Sequence, residues 1–219
     1  MILKKLFLYP DLVEFVARKP DVQLIRDQTR YVCNYIERRL SEIRFNADGF
    51  AKICIVGGHG GEVSVNSSSA LVSYVPFDID ECLSINKQER GIYYSELLRK
   101  GLRRCSTAYD IPEKEIILWL DEFHKLNYRN EWIYQVKSSK KHAIVAALHC
   151  NLTIDNFVLN LMIQKNGVDV TSKNILKTSP DEVEYHYKFK DIRIEGDEII
   201  VTTRLHDKDK GILYRMPIP

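Results

Sequence analysis

Apolar residues recur at spacings of three and four through Val22, Ile25, Thr29, Val32, Cys33, Ile36, Leu40 and Ile43, which predicts one long helix with a single apolar face. Arg26, Arg30, Glu37, Arg38 and Glu42 fall on the opposite face and are expected in solvent. Upstream, ILKKLFL (residues 2–8) reads as a short strand or helix start closed by Pro10, and DLVEFVAR continues helically to Lys19-Pro20, with Asp21 capping the long helix. Asn46-Ala-Asp-Gly49 ends that helix. FAKICIV (50–56), EVSV (62–65) and ALVSYVPF (70–77) read as strands, with NSSS as a turn between the last two. Tyr94, Leu97, Leu98, Leu102 and Cys105 share one helical face, and Ile116, Leu120 and Phe123 another. The second of these helices starts after Asp110-Ile-Pro112, with Glu113 and Glu115 in its first turn.

From about Glu131 the period changes to two. Trp132, Tyr134 and Val136 alternate, HAIVAALHC and NFVLNLMI are more continuous strands, and Asn166-Gly167 is a hairpin turn. VEYHYKFKDIRI places Val183, Tyr185, Tyr187 and Phe189 on one strand face. Turns at Glu195-Gly-Asp197 and Asp207-Lys-Asp-Lys-Gly211 lead into EIIVTTRL and GILYRM, which completes an antiparallel meander. Helices and strands segregated along the chain predict an α+β fold: N-terminal helices packed on a largely antiparallel β-sheet, with a strand-rich C-terminal half. One domain over residues 1–219 is expected, with 77–93 as the stretch most like a linker.

Composition narrows the function classes. The 219 residues are 45% hydrophobic, enough for a full core. Thirty-two Lys and Arg against 30 Asp and Glu leave +2, too little to draw nucleic acid or a membrane surface over long range. Two lysines precede only four apolar residues before Pro10, unlike a secretory signal, and no stretch approaches the roughly 18 apolar residues of a membrane helix. The five cysteines are odd in number and sit in apolar patterns, as buried thiols in a reducing compartment would, so a cytoplasmic location is expected.

The candidate chemistry centres on CIVGGHGGEVSV (54–65). A phosphate loop needs glycines between a strand and a helix, whereas EVSV is β-patterned and no Lys-Ser/Thr follows the last glycine. A hairpin loop with His59 at its exposed tip is the expectation. Gly57 and Gly58, followed by Phe77-Asp78-Ile79-Asp80, resemble the nucleotidyltransferase family of polymerase-β type. That resemblance implies Asp78 and Asp80 as carboxylates clamping magnesium and a triphosphate. The spacer to Asp78 is longer than the family's, and no third carboxylate follows on an obvious strand. The six histidines lack zinc spacing with Cys or carboxylate, and no Gly-x-Ser-x-Gly elbow occurs, so no metal or cofactor is expected. Arg99 to Arg104 and Lys137 to Lys141 are basic, but a charged helix face and a basic turn explain them, so nucleic acid is not the expected partner.

Aromatic residues concentrate in the β-rich half. The core explains them first; where that sheet is uncovered, Trp132, Tyr134, Tyr185, Tyr187 and Tyr214 would anchor a protein partner. The opening LKKLFLYPDL, the helix-then-strand passage to FAKICIVG and this strand-rich half together resemble immunity proteins of bacterial polymorphic toxin and contact-dependent inhibition systems. The resemblance implies a module that blocks a cognate toxin protein by occluding its active site. It carries no catalytic residues over.

Overall fold

A helix between two strands carries the chain back to its starting end, so the strands pair in parallel. In the computed structural model, which describes residues 1–205 and 211–219, β1 (Lys5–Pro10) and β2 (Lys52–Gly57) flank α1 (Lys19–Ile43) and run parallel, Leu6 opposite Ile53 and Leu8 opposite Ile55. β4 (Ala70–Val75) pairs in parallel on the other side of β2. The two-residue β3 (Ser64–Val65) adds antiparallel to β4, giving the order β1-β2-β4-β3. The glycine stretch therefore does not close a hairpin between β2 and its successor: β3 turns onto β4 instead.

The fold is α+β, and it divides into two compact units, Met1–Arg129 and Asn130–Pro219. Residues 77–93 lie inside the first and are mostly helical. Asp78 caps α2 (Ile79–Ser84), accepting from the N–H groups of Asp80 and Glu81, and α3 (Arg90–Ser106) starts at Arg90. Arg90 donates to the carbonyls of Leu83 and Ile85 and to Gln28 of α1, which ties this connection down. α3 and α4 (Glu113–Lys125) bury the residues their periodicity predicts.

The N-terminal expectations need three corrections. DLVEFVAR is not helical: it forms turns and a short 3-10 stretch, Val16–Arg18. Lys19-Pro20 begins α1 rather than ending a helix, because proline is tolerated in the first turn. Arg30 and Glu37, expected in solvent, are buried at 5% and 6% exposure, because they lie against β1, whose outer edge has no neighbouring strand.

All five cysteines are buried. Burial pushes the Cys33 and Cys105 thiols up to about 12 and Cys82 up to about 11, and it raises Cys54 as well. The native protein should therefore label with Ellman's reagent only as fast as it opens. Prompt reaction of any thiol without denaturant would contradict this packing.

In the second unit β5 (Asn130–Ser139), β6 (Ile144–Leu152), β7 (Phe157–Lys165) and β8 (Val168–Thr178) form an antiparallel meander in chain order. β9 (Ile192–Glu195), β10 (Glu198–Thr202) and β11 (Ile212–Pro217) form a second antiparallel sheet with β10 central. Alternate residues of β6 and β7, among them Leu148, Cys150, Leu159 and Leu161, are fully buried. The turn expected at 207–211 lies outside the described residues up to Lys210. VEYHYKF is not a strand. The Asp181 side chain accepts from the Val183 N–H and starts the short α5 (Glu182–His186), which turns Tyr185 inward and leaves Val183 and Tyr187 exposed. No helix among the described residues is long and apolar enough to cross a membrane.

Candidate functional site

In open parallel sheets the carboxyl ends of the strands are where ligands and partners are met, because the loops there converge while the strands hold them rigidly. Three loops meet at that end of the first sheet: 11–18 after β1, 58–63 after β2 and 76–78 after β4. Gly57 packs so closely on Phe77 that an added Cβ would lie 2.7 Å from its ring. An added Cβ on Gly58 would lie 2.8 Å from the Glu14 carboxylate. Phe15 meets Phe77 edge to face at 5.9 Å, and Arg18 bridges to Asp80 at 2.9 Å and to Asp21 at 2.6 Å.

The loop after β1 is built by Asp11. Its Oδ1 accepts from the N–H groups of Val13 (2.7 Å) and Glu14 (2.9 Å), and the Phe15 N–H donates to the Asp11 carbonyl. With the backbone so fixed, only Phe15 turns inward. Leu12, Val13 and Val16 point out, at 57%, 83% and 57% exposure. Three large apolar side chains within five residues thus form an exposed apolar knuckle on a hydrogen-bonded base.

Glu14 clasps the glycine loop. Its carboxylate accepts the His59 backbone N–H at 2.8 Å and faces the ring Nδ1 at 2.7 Å, so that backbone and ring are held by one side chain. These bonds, the backbone one first, hold the Glu14 carboxyl below its ordinary value of 4.5. A depressed pKa means the clasp is intact above the ordinary carboxylate range and is lost as pH falls through the lower folded value. A carboxyl NMR titration should find the Glu14 midpoint below 4.5, and His59→Gly should return it only part of the way, because the backbone N–H at position 59 remains.

The first two N–H groups of the glycine loop are spent within the fold: Gly58 donates to the Val75 carbonyl and His59 to Glu14. Asp78 and Asp80 stand at the start of a helix rather than on a strand. Asp78 spends one oxygen as the cap of α2, and Asp80 is held by Arg18. Among the described residues no group of three or more His, Cys, Asp or Glu is arranged to hold a metal ion.

The five aromatic residues expected as partner anchors have separate roles. Tyr185 is 4% exposed and stacks on Phe157 at 4.0 Å, so it is core rather than an anchor. Trp132 also faces Phe157, and Tyr214 lies under the Lys173 ammonium. Tyr134 and Tyr187 are exposed and meet the same residue: Arg204 donates to the Tyr134 hydroxyl and to the Tyr187 carbonyl. Periodicity does not mark the knuckle, although Leu12, Val13, Phe15 and Val16 are more apolar positions in five residues than one buried face can take.

Comparison of the chain with protein-family models, with curated proteins and with solved structures finds no match.

Proposed function

We propose that the chain is a protein-binding module of immunity type, which neutralises a cognate toxin domain by covering its active site, and that it does so in the cytoplasm, where such a toxin would act. The observation that carries this reading is the apolar knuckle Leu12, Val13 and Val16 on its hydrogen-bonded base. Covering each side chain is worth on the order of 1–2 kcal/mol. A base that is already ordered spares the partner the cost of fixing the loop on binding. Around the knuckle, Glu14 with His59 and Arg18 with Asp80 spend their polar groups on one another, as structural supports do. Steric occlusion needs no more than this: a rigid protrusion complementary to a cleft, with charges on both sides guiding the approach.

The test is co-expression with the domain encoded immediately upstream of the gene. A 1:1 complex on size-exclusion chromatography together with relief of growth arrest is expected. No complex and no protection would overturn the reading. Magnesium-dependent nucleotide binding lost in Asp78→Ala/Asp80→Ala would support nucleotidyltransferase chemistry instead.

A further inference from the structure

The chain as a whole is nearly neutral, but its charge is unevenly placed. The loop segments 11–18, 58–63 and 76–81 carry Asp11, Glu14, Glu62, Asp78, Asp80 and Glu81 against Arg18 and against Arg104 of α3, which donates to the Gly61 carbonyl at 3.3 Å. Arg18 is engaged by Asp80 and Asp21, so six carboxylates outweigh the two cations. The contacts between Glu14 and His59, Phe15 and Phe77, and Arg18 and Asp80 hold these three segments against one another, so the carboxylates frame the knuckle rather than being scattered over the surface. A chain of net charge +2 that gathers an excess of carboxylates around its most exposed apolar group disfavours an acidic partner there and favours a basic one.

We infer that the surface seated on the knuckle belongs to a cationic protein: a lysine- and arginine-rich face with an apolar recess that receives Leu12, Val13 and Val16. The inference rests on the protein-binding reading and adds the chemistry of the partner. Burial of the apolar side chains supplies the attraction at contact, while the surrounding carboxylates speed encounter and align the two faces. Complex formation should then slow as salt rises, because exposed charges are screened over about 10 Å at 0.1 M.

The surface can be probed without the natural partner. A synthetic peptide of alternating lysine and leucine, and its glutamate–leucine counterpart, are titrated into the 15N-labelled chain. The basic peptide is expected to shift the amides of 11–18, 58–63 and 76–81, and the acidic one to leave them in place. Glu62→Lys/Glu81→Lys, with its fold checked by circular dichroism, should weaken the basic peptide about tenfold, as should raising salt to about 0.5 M. Shifts that map elsewhere, or that are equal for both peptides, would overturn the inference. So would a monomer–dimer equilibrium abolished by the same charge reversals, which would give the knuckle to a second copy whose basic α3 supplies the cations. If the upstream-encoded domain fails to bind but the basic peptide maps to the three loops, the immunity reading falls and the surface assignment stands. If that domain binds and the peptide maps elsewhere, the surface assignment alone falls.

Discussion

Glu37→Ala should destabilise the first unit by about 3–5 kcal/mol, read as a lowered denaturation midpoint of its helical signal. β1 is an edge strand, and the groups of Leu6 that point away from β2 are satisfied by α1. Glu37 accepts the Leu6 N–H at 3.0 Å, and Arg30 donates to the Leu6 carbonyl at 3.0 Å. Both Glu37 oxygens take the Arg30 guanidinium at 3.0 Å, one of them also takes the Lys5 ammonium at 3.1 Å, and the guanidinium lies over the Phe7 ring. Removing Glu37 leaves a buried cation without its counter-charge and a buried N–H without its acceptor, which is why the cost exceeds that of a surface ion pair. Thr29 continues the same edge by donating to the Leu8 carbonyl. The double variant Arg30→Met/Glu37→Leu should cost less than the two single changes summed, because it removes both members of the buried ion pair together. A loss below about 1 kcal/mol for Glu37→Ala would show that water reaches this edge and the helix does not seal it.

Phe157→Ala should cost the second unit about 3–5 kcal/mol. Phe157 is fully buried at the start of β7, stacked on Tyr185 at 4.0 Å and Phe189 at 5.6 Å and tilted against Trp132 at 6.2 Å. One ring thus holds α5, the segment after it and the meander together, and its removal opens a cavity that three aromatic neighbours cannot close without leaving their rotamers. Near-UV circular dichroism should weaken together with stability, since the coupled rings lose their fixed geometry. Phe157→Leu, which keeps most of the volume, should lose far less. A loss under about 1.5 kcal/mol for the alanine variant would mean that the cluster collapses around the gap.

The apolar faces of α1, α3 and α4 and the meander from β5 to β8 were legible in the sequence, because periodicity reports which side of an element is buried. What periodicity does not report is the neighbour. Arg30 and Glu37 read as solvated because nothing local says that α1 lies along an unpaired strand edge. The parallel pairing of β1 with β2 follows from the crossover through α1, and that of β4 with β2 from the return through the glycine loop and β3, not from any strand's own pattern. At 182–186 the run is only five residues long, so the periods 2 and 3.6 cannot be separated, and the deciding signal is the Pro180-Asp181 start ahead of it. Asp78 offered the same kind of signal before Ile79. At the candidate site, Gly57, Gly58, Asp78 and Asp80 do gather at one end of the sheet, but as parts of its supports. The knuckle escaped because only the Asp11 turn decides that Phe15, and not Val13 or Val16, points inward.

The most direct test is calorimetric titration of the upstream-encoded domain with wild-type chain and with Val13→Ala/Val16→Ala. Tight 1:1 binding by the wild type and a loss of about 10- to 100-fold in the double variant, with its thermal unfolding unchanged, is the expected result. Equal affinity of the two proteins would remove the knuckle from the interface, and absence of binding by the wild type would contradict the proposed function itself.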